Sequence, residues 1–379
     1  TNNNLRGNPN NNNSHNNHVG TSTATVGVYY YPWYGDDFHG KKYMRKKLIP
    51  EQLPLLGEYD DKECEVIAQH FIWSRLAKVN LWVMSWWGKD GRSDNTIRES
   101  ILTNPLLGNQ KIAIHYETSG RTKFNSTSEP FTSLHKIGPD IDYLANTYFD
   151  HPNYYRINDR PVIVVYLCRG LAKRGLLQKT VEIMRSTAAQ SGHQLYILGD
   201  YSFGKLNHRK ISDIKYMDGV TNYDAYGSMK AQGYVGIDRL NDYFYQQSRW
   251  RAAAHDYSVN YVPVVTPGYN DRDVRSGNAP LSRKIDVHHE YGSLFEAMLH
   301  EALLTADDNA DNLILVNSFN EWHEDTQIEP VVAAPPTFLN SGVLQSLSSP
   351  NAKVDDFAGG LEYEGYGTRY LQILHDTIN

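Results

Sequence analysis

The run Asn312 to Phe319, NLILVNSF, is apolar almost without a break, and Asn320-Glu321-Trp322-His323-Glu324 follows it at once. A strand with one wet face would alternate apolar and polar residues. A continuous apolar run instead predicts a strand buried on both faces, as in a parallel sheet covered by helices. Seven earlier runs read the same way: Val26–Tyr34 (VGVYYYPWY), Val79–Trp87, Lys111–Glu117 (KIAIHYE), Pro161–Leu167 (PVIVVYL), Gln194–Tyr201, Asp218–Tyr226 and Tyr261–Thr266 (YVPVVT). Between them lie segments of helical character. Glu63–Lys78 carries Val66, Ile67, Phe71 and Leu76 at helical spacing, and Asn95–Leu107, Asp140–Phe149, Leu176–Gln190, Leu240–His255 and Tyr291–Thr305 follow. Glu364–Ile378 closes the chain as a helix, and only the link between the fifth and sixth strands is short and irregular. Eight such alternations predict an α/β fold, a closed (β/α)8 TIM barrel with extended loops at its C-terminal face, in preference to an open doubly wound sheet. Neither GxGxxG nor GxxxxGK[ST], the glycine loops that cradle phosphates in open sheets, is present.

Residues 1–24 read as a disordered tail, since ten of the first eighteen are Asn and no apolar face can form. Residues 25–379 read as one (β/α)8 catalytic domain. The chain opens without Met or an apolar signal segment, which points to a start inside a longer chain. Lys+Arg 37 against Asp+Glu 43 gives a net charge of −6 with no basic block, so the counterion release that drives nucleic-acid binding has no source here. No stretch approaches the ~18 apolar residues of a membrane-spanning helix. Two cysteines, Cys64 and Cys168, allow at most one disulfide and no thiolate metal cage. Two N-x-S/T sequons occur, at Asn12 and Asn125.

Barrel enzymes place reactive groups at the C-terminal ends of the strands. Read in order, those ends hold Tyr30, Tyr31, Trp33 and Tyr34; Trp86 and Trp87; His115, Tyr116 and Glu117; Tyr166; Asp200 and Tyr201; Tyr223, Asp224 and Tyr226; Tyr269, Asn270 and Asp271; and Asn317, Asn320, Glu321, Trp322, His323 and Glu324. Any one aromatic could simply pack. Aromatics at nearly every end, mixed with amides, His and carboxylates, suit a carbohydrate cleft, where ring faces stack on sugars and polar groups meet hydroxyls. Glu321 and Glu324, three apart beyond a buried strand, face one cavity if the loop begins a helical turn. Glycoside cleavage uses such a pair, because one group must protonate the leaving oxygen while another deals with the anomeric centre. Like charges held together also raise one carboxyl pKa.

Other chemistries fit less well. No H-E-x-x-H and no G-x-S-x-G is present, and His288-His289-Glu290 sits just before a predicted helix as a surface feature. His323 with Glu321 and Glu324 is a conceivable cation site, but residues so close in sequence rarely converge on one centre. No metal and no cofactor is expected.

VGVYYYPWYG at Val26–Gly35, SWWG at Ser85–Gly88, HYE at His115–Glu117, PGYND at Pro267–Asp271 and NSFNEWHEDTQIEP at Asn317–Pro330 together resemble glycoside hydrolase family 99, the endo-α-mannosidases and endo-α-1,2-mannanases. The resemblance implies a (β/α)8 barrel and a retaining, endo-acting cleavage of α-mannosides without an enzymic nucleophile. Glu321 matches the base that deprotonates the substrate 2-hydroxyl, which attacks its own anomeric carbon to form a 1,2-anhydro sugar, and Glu324 matches the general acid/base. Trp87 matches the aromatic shaping the −2 sugar site. His115, Glu117, Tyr166, Asn317 and Asn320 are expected at the −1 and −2 subsites, with Tyr31, Tyr223, Tyr226 and Tyr269 in the same wall. One departure stands out: Asp325 occupies the position where the family's usual E-G-T-Q has Gly, and an added carboxylate there is expected to raise the Glu324 pKa or alter the leaving-group side. The implied partner is an α-mannoside oligosaccharide or polysaccharide, the expected state a monomer, and the expected location a secretory-pathway (Golgi-type) lumen or outside the cell. Two alternatives remain: another TIM-barrel α-glycanase with Glu324 as acid and a distant Asp nucleophile, or a non-catalytic glycan-binding barrel.

Overall fold

The structure, a computed structural model, describes residues 24–122, 134–207, 211–230, 232–337 and 357–378. The Asn-rich tail up to residue 23 and both sequons lie outside the described residues, as does the segment 123–133.

Eight strands form the barrel: β1 Thr25–Tyr30, β2 Leu81–Trp86, β3 Lys111–Tyr116, β4 Arg160–Val165, β5 Tyr196–Asp200, β6 Gly219–Thr221, β7 Asn260–Val262 with Val264–Val265, and β8 Leu313–Val316. All neighbours pair in parallel, in sequence order from β1 to the first half of β7. The second half of β7 pairs with β8, and β8 pairs with β1 from Thr25↔Leu313 to Val28↔Val316, so the ring closes. Pro263 splits β7 because it has no N–H to give the ladder, yet its carbonyl still accepts Leu315 N at 3.0 Å. The strands are buried nearly end to end, as their apolar runs require for a sheet inside a ring of helices. Each fully buried Val, Leu or Ile contributes roughly 1.5–3 kcal/mol.

Helices Cys64–Leu76, Ile137–Leu144, Leu177–Gln190, Ile237–Asp256, Ser293–Thr305 and Arg369–Thr377 bury one face each on this barrel. The helix expected at 95–107 runs instead over Arg92–Thr96 and continues as a wider turn through Ile101. The sixth strand ends early because Asp224 caps a short helix, Ala225–Met229, with its side chain accepting Gly227 N at 3.0 Å. A two-residue strand, Arg156–Ile157, pairs antiparallel with the start of β4. Its turn, Asn158-Asp159, has both residues at φ +50° and +58°, the left-handed pair that a tight hairpin needs and that Asn and Asp tolerate. Cys64 is exposed and Cys168 buried, and they do not pair.

Candidate active site

The chain leaves β8 through a cis Asn317–Ser318 peptide and folds into a compact loop. Ser318 Oγ accepts Glu321 N at 2.8 Å, and Phe319 N donates to Tyr29 O of β1 at 2.8 Å. Glu321 caps the single turn Trp322–Glu324, accepting His323 N at 3.0 Å. That turn carries both carboxylates to one side. Trp322 is buried beneath them, its indole N–H donating to Glu329 at 2.8 Å. Glu321 and Glu324 line a cleft of about 510 Å³ with Trp33, His39, Lys42, Arg275 and His323.

The two carboxylates have different surroundings. Burial pushes the Glu324 carboxyl up to about 7, the nearby Glu321 charge adds to the rise, and Arg275 opposes it. Its Oε2 accepts Tyr226 Oη–H at 3.3 Å and its Oε1 meets Arg275 Nη1 at 3.1 Å. Glu321 has a neighbour of another kind: His323 Nδ1 lies 2.9 Å from its Oε1. One group is poised to hold a proton near neutrality. The other is placed to accept one.

Several of the other residues singled out in the sequence adjoin this pair or one another. Trp87 is 41% exposed at the rim. Its indole N–H donates to Ser85 Oγ at 2.9 Å, and that hydroxyl donates to Glu117 Oε1 at 2.7 Å. Burial pushes Glu117 up to about 8, with Ser85 opposing and Glu321 and Glu324 adding, so it keeps its proton at neutrality. His115 is driven down to about 3 by burial and is neutral, between the rings of Tyr29, Tyr166 and Tyr223. Tyr31 and Tyr223 share a hydroxyl–hydroxyl bond. Tyr226 and Tyr269 stack at 3.8 Å and 10°, a slab that aims Tyr226 Oη at Glu324. Both nitrogens of His115, Tyr29 Oη and Asn317 Oδ1 are buried without a hydrogen-bond partner among the described residues.

Asn320 is engaged elsewhere. Its amide accepts Tyr31 N at 2.8 Å and donates to Tyr31 O at 3.1 Å, so it ties the β8 loop to the β1 end. Asn317 Nδ2 similarly holds Tyr223 O at 2.9 Å.

Asp325 departs from the expectation that it would perturb Glu324. Its side chain points away into the protein, between the buried guanidinium groups of Arg45 and Arg283. Burial pushes its carboxyl up, but Arg283 and Arg45 outweigh that and hold it below the usual carboxylate range. Its backbone is left-handed, φ +51°, where glycine is the default residue. Two Arg contacts secure the Asp in that conformation and pin the catalytic loop to the β1 and β7 loops. Sequence reasoning also passed over Arg275, which bridges Asp271 Oδ2 (2.6 Å) and Glu324. The i,i+4 Asp271–Arg275 spacing was its only signal.

A larger hollow of about 940 Å³ lies at the opposite, N-terminal end of the barrel. Its charges neutralise one another, Arg160 and Arg185 on Asp218, Arg251 and His255 on Asp307, and reactive groups in this fold belong at the other face.

Comparison with known proteins gives the family. The family model for glycosyl hydrolase family 99 matches residues 28–337. The chain is 25% identical over 350 residues to a glycoprotein endo-alpha-1,2-mannosidase of Mus musculus, covering 80% of this chain and 67% of that protein. A protein of the same name from Rattus norvegicus is 24% identical over 347 residues, covering 81% and 68%. In fold it is similar to the GH99 endo-alpha-mannosidase of Bacteroides thetaiotaomicron, with TM-score 0.62, 22% identity and coverage of 93% of this chain and 95% of that one. With the family's model spanning the barrel and the paired carboxylates at its last strand, the chain belongs to glycosyl hydrolase family 99 and is a glycoside hydrolase.

Proposed function

We propose that this chain is an endo-acting α-mannoside hydrolase that retains anomeric configuration through a 1,2-anhydro sugar. Glu321, as carboxylate, takes the proton of the 2-hydroxyl on the −1 mannoside. The freed O2 attacks C1 while Glu324 gives its proton to the departing glycosidic oxygen. Glu324, now ionised, takes a proton from water, which opens the epoxide at C1, and Glu321 returns its proton to O2. Two inversions give net retention, and neither carboxylate bonds to carbon, so the usual spacing of a nucleophile and its acid/base is not required.

The observation that carries this reading is the split environment of the pair: Glu324 is raised to about 7 by burial and by Glu321, while Glu321 sits on His323. The buried polar atoms of His115, Asn317 and Tyr29 that lack a protein hydrogen bond suit a hydroxyl-rich ring, and the exposed Trp87 suits a stacked neighbouring sugar. The mannosidase names of the mouse and rat relatives support the substrate class, and their glycoprotein designation supports a secretory-lumen or extracellular site of action.

The test is turnover of α-mannans and of Man- or Glc-α-1,3-Man-α-1,2-Man oligosaccharides, with the anomer of the first product followed by NMR. Glu321→Gln and Glu324→Gln should each abolish cleavage of unactivated substrate, and a substrate with a 2-deoxy −1 sugar should not turn over. Cleavage of the 2-deoxy analogue at a normal rate would point to a carboxylate nucleophile and sink the proposal.

A further inference from the structure

His323 has a distinctive hydrogen-bond environment. Nδ1 faces Glu321 Oε1 at 2.9 Å and Nε2 faces the carbonyl oxygen of His39 at 3.3 Å. A carbonyl oxygen can only accept, and so can a carboxylate, so both ring nitrogens are placed as donors. A neutral imidazole has one N–H and would leave one of these contacts with two facing lone pairs. The doubly protonated ring satisfies both.

The ring is also fixed in space. Trp33 and His39 meet it edge-on, with centroids at 5.8 and 4.6 Å, and Tyr34 lies parallel at 5.9 Å. The two N–H groups that Glu321 accepts from this residue, the ring Nδ1–H and the backbone N–H, both fall on Oε1. Oε2 takes no hydrogen bond from His323, and Glu321 lines the cleft.

From this we infer that His323 is a positioning residue: an imidazolium that fixes the Oε1 edge of Glu321 through two N–H donors and leaves Oε2 for the substrate hydroxyl. The inference rests on the proposed role of Glu321 as base. The charged and titratable groups around the ring favour the cation on balance. Glu321 and Glu324 face it from its own loop, and Asp273 senses it from the β7 loop. Against them stand Lys42 and Arg275, which line the same cleft, and His39 from the β1 loop, whose own imidazole is pushed down by burial and by His323. Burial is the largest influence and lowers the His323 pKa, but the charge and hydrogen bond of Glu321, the His39 carbonyl and Glu324 together outweigh it, and the net direction is upward.

Two measurements test this. In the first, the ring nitrogens of His323 are followed by NMR in the intact protein. Both should carry protons at pH 7, and Glu321→Gln should move the ring titration to lower pH by about a unit or more. A singly protonated ring at pH 7, or a titration that Glu321→Gln leaves in place, overturns the inference. In the second, kcat/KM is measured against pH for His323→Phe, which keeps a flat ring against Trp33, and for His323→Asn, which keeps one N–H. His323→Phe should lose roughly 10- to 100-fold in kcat with KM within about twofold, the range set by losing a charge-assisted hydrogen bond. The acidic limb of its profile should move to higher pH because the base loses a neighbouring cation, and His323→Asn should recover part of the rate but not the limb. A fall of equal size at every pH shows a packing role only and overturns the inference. If the wild-type protein turns over no α-mannoside, the functional reading fails, and the NMR titration still decides the state of the pair.

Discussion

Replacing Arg275 by Gln tests the electrostatics of the acid directly. Arg275 Nη1 lies 3.1 Å from Glu324 Oε1 and opposes the rise that burial and Glu321 impose on that carboxyl. Two unit charges at 4 Å interact by ~4 kcal/mol at an effective dielectric of ~20. Arg275 is 56% exposed, however, so water and salt screen it, and the appropriate range is that of exposed pairs, ~0.5–1 kcal/mol. At ~1.4 kcal/mol per pH unit that is ~0.4–0.7 unit. The sign follows from the chemistry. The acid works protonated, a neighbouring cation favours its carboxylate, and removing the cation therefore favours the proton. Asp271, which also raises Glu324, loses its own Arg partner in the variant and pushes the same way. The alkaline limb of kcat/KM, expected near pH 7 in the wild type, should thus move up by about half a unit in Arg275→Gln, and by less at high salt. A limb that moves down, or that stays in place while the rate changes, would refute the assignment of Glu324 as the acid under Arg275 control.

Glu117 offers a test through stability. Its folded carboxyl is raised to about 8 by burial, while an unfolded Glu titrates near ~4.3. Between those values the folded chain holds a proton that the unfolded chain releases, so this group's contribution is fully present below ~4.3 and is lost as pH rises toward 8. Glu117→Gln carries no such proton, and urea unfolding should show its stability relative to wild type improving by roughly 2–4 kcal/mol between pH 5 and pH 8; a pH-independent difference would count against a protonated Glu117. Asp325→Ala should cost about 3–5 kcal/mol in the same assay, because it strands two buried guanidinium groups. A loss under about 1 kcal/mol would mean the Arg45–Asp325–Arg283 cluster braces nothing. Trp87→Ala should raise KM up to roughly tenfold with a smaller change in kcat, the scale of one lost aromatic stacking contact, and an unchanged KM would remove Trp87 from substrate binding.

The sequence by itself determined the barrel and the position of a carboxylate pair just past its last strand. Eight apolar runs such as NLILVNSF admit burial on both faces and little else, and the motif Asn317–Pro330 places two carboxylates just beyond the last of them. Those are local properties, set by residue type and spacing along the chain. What only the tertiary structure decided is which polar groups meet across loops far apart in sequence. Asn320, expected beside the sugar, also has its amide tied to Tyr31, 289 residues away. Asp325 looked like a second charge beside Glu324, yet Arg45 and Arg283, 280 and 42 residues distant, draw it to the other side of the loop. Arg275 carried no signal beyond its spacing to Asp271, and His39 none, but both reach the cleft of the carboxylates because the β7 and β1 loops fold over it. The reason is physical: burial follows from periodicity, which a strand displays in its own residues, whereas the charge state of a carboxyl depends on whichever partners the closed barrel brings within a few ångströms of it.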